Sequence, residues 1–267
     1  MPLVSIITIN LNNAVGLQET MTSMFMQSFI GFEYIVIDGG SNDESTELLE
    51  GSTDKITYWV SEPDKGVYSA MNKGIEKAKG DYLLFLNSGD FFYTADALGR
   101  LAAKAGETEL IYGNMMLDEA GGLRKQAYPA VLDFNHFYSG HSLPHQATLI
   151  KRSLFSKVGR YNEGFKIVSD WEFFINAVCL HHASYCYVDV DLVVYKMDGI
   201  SCRPENLPLY AKERNQTYEK YYAAFMPLVM KNEALERTLR LVSNSRLHRL
   251  AATVSNIFKK AGSENNV

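Results

Sequence analysis

Three aspartates beside glycines carry the first chemical hint in this chain. Asp38 and Asp43 stand in Ile35-Val-Ile-Asp-Gly-Gly-Ser-Asn-Asp-Glu-Ser45, and Asp90 closes Leu83-Leu-Phe-Leu-Asn-Ser-Gly-Asp90. Each segment begins with a short apolar run and ends in polar residues, as a loop follows a buried strand. In an open α/β sheet the loops behind the strand ends meet in one crevice, so carboxylates and glycines placed there become neighbours and face a ligand. Several carboxylates in one cleft repel an anionic ligand unless a divalent cation lies between them. Magnesium-type ions are held by one or two carboxylates plus substrate phosphates. The chemistry these residues suggest is a metal-bridged nucleotide.

The elements that would position them follow from periodicity. Leu3 to Ile9, Glu33 to Ile37, Ile56 to Val60 and Tyr82 to Leu86 read as four buried strands. Between them, Asn12 or Asn13 caps a helix with Leu17, Met21, Met24 and Phe25 on its inner stripe, and Asp43 starts a short second helix. Val67, Ala70, Met71, Gly74, Ile75 and Ala78 form one face of a third, which Gly80-Asp81 stops. This alternation yields a parallel sheet, an α/β fold over residues 1–115. Beyond 116 the pattern loosens: Gly121-Gly122 reads as a hairpin turn, and Tyr128 to Pro144 as an irregular aromatic loop with His136 and His141. Val168 to Leu180 is helical, Tyr187 to Tyr195 strand-like, and the chain from Asn206 onward helical only. Residues 116–205 thus read as an acceptor-binding and catalytic half, and 206–267 as a C-terminal helical extension.

Composition narrows the function. With 267 residues, 46% hydrophobic and 21% charged, the chain has the make-up of a globular protein, and a net charge of -5 argues against a nucleic-acid partner. The N-terminus has no basic region and its apolar run is short, so it reads as a strand and not as a signal peptide, which suggests a cytoplasmic protein. Cys179, Cys186 and Cys202 are then expected to be free thiols. Cys179-Leu-His-His-Ala-Ser-Tyr-Cys186 holds four zinc-type ligands, but its spacing matches none of the paired-ligand patterns. Neither Gly-x-Gly-x-x-Gly nor Gly-x-x-x-x-Gly-Lys-Ser/Thr is present, which disfavours a dinucleotide dehydrogenase and a P-loop kinase. In the last helix Leu235, Leu239, Val242, Leu250, Val254 and Ile257 keep helical spacing. Residues 237–260 hold Arg237, Arg240, Arg246, Arg249, Lys259 and Lys260 and no acid. Such a helix suits the inner face of a membrane, or else docks on its own domain or on a second copy in a homo-oligomer.

Five segments in order, Ser5-Ile-Ile-Thr-Ile-Asn10, Glu33 to Asp43, Ser61-Glu-Pro-Asp-Lys-Gly-Val-Tyr-Ser-Ala-Met-Asn-Lys-Gly74, Gly80 to Asp90 and Val168-Ser-Asp-Trp-Glu172, resemble the motifs of the family-two glycosyltransferases. The resemblance covers about residues 3 to 205 and implies a GT-A fold, a Rossmann-like nucleotide-binding half with a mixed central sheet. It also implies a nucleotide-sugar donor. By the same resemblance Thr8 and Asn10 lie near the base, and Asp38 accepts a hydrogen bond from a base imide, which favours uridine. Ser41 reaches ribose or else caps the next helix, and Asp64, Asn72 and Lys73 run along ribose and diphosphate, with a solvated surface position as the alternative for Lys73. The Asp-x-Asp metal motif falls on Asn87 and Gly89, with Asp90 one place later, so Asn87, Asp90 and His145 become the expected ligands of manganese or magnesium. Ser69 stands where many relatives have Asp.

Asp170 matches the catalytic carboxylate, a general base that takes the proton of an acceptor hydroxyl in an inverting transfer. The same position also suits a helix N-cap, and Glu172 is the second candidate base. Gln146 is expected beside the acceptor. Trp171 either stacks on a sugar or belongs to the helix's apolar stripe. The resulting expectation is an inverting hexosyl- or N-acetylhexosaminyltransferase acting on a lipid-linked or polysaccharide acceptor in cell-surface glycan synthesis. A non-catalytic nucleotide- or sugar-binding module with a degraded metal site is the alternative that Asn87 and Gly89 motivate.

Overall fold

The computed structural model describes residues 2–197, 199 and 203–243. Its elements in chain order are β1 Val4–Asn10, α1 Ala14–Phe25, β2 Phe32–Asp38, α2 Ser45–Glu50, β3 Tyr58–Ser61, α3 Val67–Lys77, β4 Tyr82–Phe85, β5 Phe91–Phe92 and α4 Ala97–Ala102. There follow β6 Leu110–Glu119, β7 Gly122–Gln126, α5 Phe134–Tyr138, β8 Thr148–Lys151, α6 Leu154–Val158, α7 Ser169–Ile175, β9 Tyr185–Lys196, α8 Leu207–Thr217 and α9 Met226–Ser243. Residues 1–213 form one compact unit, and a second begins at Arg214.

One mixed sheet runs in the order β3-β2-β1-β4-β8-β6-β9-β5, with β7 paired to β6. The first four strands are parallel, as the alternation of strand and helix requires. β8 enters antiparallel between β4 and β6 and makes the sheet mixed. β6 crosses residue 115, so the sheet is continuous between the segments 1–115 and 116–205.

Strand alternation explains the two layers. Val4, Ile6, Tyr34, Val36, Tyr82 and Leu84 point to one face, where Leu17, Met21 and Met24 of α1 meet them, all 1% exposed or less. Burying each such side chain stabilises the fold by about 1.5–3 kcal/mol. Ile7 points to the other face, against α3. A Cβ on Gly74 would lie 2.4 Å from Ile7 Cγ2, so a glycine is what lets α3 approach this closely. On that same face Phe85 packs against Phe155 and Tyr161, and Phe173 of α7 stacks on Phe155 at 4.6 Å, which ties α7 to the end of β4.

Several local expectations change. Asn13 caps α1 by accepting from Gly16 N. Asp43 does not cap α2, whose N-cap is Glu44 without a side-chain bond. Its carboxylate instead accepts from Ser45 N and from Ala14 N, joining the starts of two helices. The stretch from Tyr128 to Pro144 contains α5, capped by Asp133, which accepts from His136 N. β5, α4, β8 and α6 had no clear signal, being short and uniformly apolar or amphipathic over only one turn. Cys179 lies in a π turn at 176–180 and Cys186 on β9, and both are free thiols, whereas Cys202 lies outside the described residues. Among the described residues no three His, Cys, Asp or Glu side chains are grouped to hold a metal. No described helix is long and apolar enough to cross a membrane. Of the basic helix, Arg246, Arg249, Lys259, Lys260, Leu250, Val254 and Ile257 lie outside the described residues.

Candidate active site

The parallel strand ends form the first part of the site. Asp38, with no exposed surface, accepts five hydrogen bonds: from Asn10 Nδ2, from Ser41 Oγ and Ser61 Oγ, and from the backbone of Gly40 and Ser41, at 2.6–3.1 Å. Burial works against its charge, but the donors outweigh it and hold the carboxyl below the ordinary aspartate range. Gly40, at φ 84°, turns the loop so that those amides point back at the carboxylate. Asn10 Nδ2 also donates to Ser45 Oγ and Ser41 Oγ, and Asn10 Oδ1 is buried without a hydrogen bond. Asp64 approaches this loop closely, since a Cβ on Gly39 would lie 2.9 Å from Asp64 Oδ2.

Three of the expected donor contacts are engaged elsewhere. Thr8 is fully buried and bridges Tyr34 and the Leu86 carbonyl, so it braces the strands and does not face the cleft. Asn72 is buried and bonds the backbone of Tyr161 and the carboxylate of Glu163. Lys73 pairs with Glu62 at 2.8 Å on the surface.

The second part of the site is a chain of polar groups around Asp170. Asp170 Oδ1 accepts from Tyr68 at 2.9 Å, and Oδ2 meets His145 Nδ1 at 3.0 Å. His145 Nε2 lies 3.2 Å from Asn87 Nδ2. An amide nitrogen has no lone pair to accept with, so Nε2 accepts and Nδ1 carries the proton toward Asp170. Both nitrogens of His145 are thus engaged within the protein, which corrects its expected role as a metal ligand. Burial pushes Asp170 up, while the hydrogen bonds from His145, then Tyr68 and the Trp171 amide, bring it below the ordinary aspartate value. Tyr68 is held well above the usual phenol range by burial and by the charge of Asp170, so it stays a donor. Asp170 is no N-cap, because Val168 holds that place.

Asp170 stands where two cavities meet. The smaller, about 160 Å³, is lined by Asn87, Ser88, Asp90, Lys166 and Tyr68 among others. The larger, about 640 Å³, is lined by Met115, Leu117, Tyr128, Pro129, Leu143 and the imidazoles of His136 and His141 among others. Asp170, His145, Gln146 and Tyr195 line both. Glu172 and Trp171 line neither. Glu172 is buried on α7, and Trp171 is 2% exposed with its indole N–H donating to the Phe137 carbonyl, so it is core.

The altered metal motif has a backbone cause. Gly89 sits at φ 102°, where a residue with a side chain is strained, and its N–H is held by Thr20 Oγ1. Asp90 lines the smaller cavity together with Asp170, and Asn87 Oδ1 is a buried acceptor without a hydrogen bond. An amide oxygen and one carboxylate fit a hard divalent ion that takes its other ligands from a diphosphate.

The sequence model described as glycosyl transferase family 2 matches residues 5–167. The chain belongs to glycosyl transferase family 2. An uncharacterized glycosyltransferase of Mycobacterium tuberculosis is 41% identical over 182 residues, 66% of this chain and 69% of that protein. A PGL/p-HBAD biosynthesis glycosyltransferase of Mycobacterium bovis is 33% identical over 178 residues, 64% of this chain and 68% of that protein. Among solved structures, S. aureus TarS in complex with UDP aligns at TM-score 0.60 and 19% identity, over 73% of this chain and 60% of that one. A Pyrobaculum calidifontis mannosyltransferase with GDP-Man and Mn2+ aligns at 0.57 and 14%, over 99% and 87%. The fold of this family-2 chain is GT-A, and its role is that of a glycosyltransferase.

Tyr68 and Tyr161 escaped the reading of the sequence. Tyr68 lies inside a recognised motif, but nothing in its spacing aims it at a residue 102 positions away. Tyr161 is fully buried, and burial together with the charge of Asp170 raises it well above the phenol range.

Proposed function

We propose that this enzyme is an inverting glycosyltransferase that moves a sugar from a nucleoside diphosphate donor, a UDP-sugar, to a hydroxyl of a lipid-linked or polysaccharide acceptor. The observation that carries the proposal is the ionised carboxylate of Asp170 on the wall common to two cavities. The donor diphosphate enters the smaller cavity beside Asn87 and Asp90, with the base at the ends of β1 and β2. There Asn10 Oδ1, a buried acceptor without a partner on a side chain that Asp38 holds in place through Asn10 Nδ2, suits the imide N–H of uracil, and Asp38, with its oxygens taken by five protein donors, shapes the base end of the site without reaching the base itself. The acceptor lies in the larger cavity, whose methionines, leucines and aromatic rings suit an acceptor with an apolar carrier.

Asp170 accepts the proton as the acceptor oxygen bonds to the anomeric carbon. The bond from that carbon to the diphosphate oxygen breaks on the opposite face, and the electron pair leaves with the diphosphate. His145 and Tyr68 hold the carboxylate in place, and their hydrogen bonds keep it ionised before the transfer. Asp90 and Asn87 would hold a manganese or magnesium ion, which supplies positive charge to the departing diphosphate. In this reading the protein works on the cytoplasmic face of a membrane. Leu228, Leu235, Leu239 and Val242 are exposed along one side of α9, with Arg237 and Arg240 on the same helix, and suit a lipid surface.

Thermal unfolding with UDP, GDP, dTDP and CMP, each with and without manganese, tests the donor site. UDP at a hundred times its Kd adds about 2.7 kcal/mol, a rise of a few degrees in Tm. Turnover of UDP-sugars with product anomers resolved by NMR then tests inversion. No shift with any nucleotide sinks the donor assignment.

A further inference from the structure

We propose that Glu213, on α8 and beyond the residues matched by the family model, is the positioning residue for the catalytic segment that runs from Lys166 to Asp170. The inference rests on Asp170 being the general base. Glu213 is 3% exposed, and its carboxylate accepts backbone N–H bonds from three consecutive residues. Oε1 takes Lys166 N at 2.7 Å, and Oε2 takes Ile167 N and Val168 N at 3.0 and 3.2 Å. These residues belong to neither strand nor helix, so no regular ladder fixes their amides.

The clamp acts on both sides of the reaction. Lys166 and Ile167 line the smaller cavity, so their backbone sets the wall on the donor side. Val168 is the N-cap of α7, and its carbonyl receives Glu172 N at 2.8 Å, which closes the turn that carries Asp170. A shift of the clamped backbone is therefore passed within two residues to the carboxylate that must meet both His145 and Tyr68. A displacement of about 1 Å in a reacting group costs on the order of 100-fold in rate.

The chemistry of the side chain singles out the tests. In Glu213→Gln one acceptor oxygen becomes an NH₂ donor facing N–H donors, so at least one clamp bond is lost at nearly constant shape. In Glu213→Asp both acceptors remain on an arm one methylene shorter. For the full chain, with UDP release from a UDP-sugar as the assay, Glu213→Gln is expected to lower kcat on the order of 100-fold. KM for the donor and the Kd of UDP should stay within about threefold of wild type. Glu213→Asp should recover part of kcat. Hydrogen exchange followed on the peptide containing 166–168 should be slow in the wild type and fast in Glu213→Gln.

Unchanged kcat in a folded Glu213→Gln, or a loss confined to KM, overturns the proposal, as does fast exchange at 166–168 in the wild type. If Glu213→Gln does not fold, Glu213→Asp decides. A kcat loss at unchanged UDP affinity supports the positioning role, and wild-type kcat rejects it. Failure of the general-base reading is separable, since it appears as full turnover in Asp170→Asn while the exchange of 166–168 still reports the clamp.

Discussion

Asp38 and Asp170 are both aspartates with carboxyls held below the ordinary range, yet the two regions around them are built on opposite plans. Around Asp38 five donors satisfy the carboxylate from within one loop and the two strands beside it. Around Asp170 the side-chain donors among the described residues are Tyr68 and His145, and they come from separate elements that border two cavities. A saturated carboxylate is a structural fixture with no lone pair to spare. One held at its edges and open to two cavities can receive a proton. The comparison separates the residue that shapes the site from the residue that reacts.

The sharpest way to break this comparison is Asp170→Asn, which removes the base but keeps the shape. A general base contributes about 10²–10⁴-fold, so kcat should fall by about 10³-fold with the Kd of UDP unchanged, as read by calorimetry. Next comes Asp38→Ala, which strips the shared acceptor from buried donors. It should cost about 3 kcal/mol, measured by denaturant unfolding, and lower turnover only through loss of folded protein and donor binding.

Tyr68→Phe should lower kcat roughly tenfold by removing one of two side-chain donors that place Asp170. It also fixes the sign of a pH effect. Tyr68 helps to lower the Asp170 pKa, so the ionised base is present above that lowered value and is lost as pH falls through it. Without the phenol the acid limb of kcat against pH should move to higher pH. The smallest expected effect is Asn87→Ala, which should raise the manganese concentration for half-maximal turnover by roughly tenfold, since most of the ligands come from the diphosphate.

What the sequence revealed follows the same division. The parallel half was legible because buried strands and amphipathic helices leave periodic traces, and Asn13 sat where a cap belongs. Asp38, Asp90 and Asp170 were legible as loop and helix-start carboxylates in ordered motifs. The expectation that Asp38, Asp43 and Asp90 form one acidic cluster was not met, because the first two spend their oxygens on nearby hydroxyls and amides. Thr8, Asn72 and Lys73 were misplaced for a related reason: position in a motif does not say whether a side chain faces the cleft or the neighbouring strand. Tyr68 and Glu213 act across 45 to 102 residues of separation, and no local pattern encodes a contact of that range. β8 and α5 were missed because four or five residues are too few for a period to declare itself.

The most direct test of Asp170 as the reacting group is UDP release from a UDP-sugar panel with manganese, run on wild type and Asp170→Asn, with UDP affinity measured on both. Turnover by the wild type, a fall of about 10³-fold in the variant and equal UDP affinity are the predicted result. Equal turnover in the two proteins, or UDP affinity lost along with turnover, would contradict it.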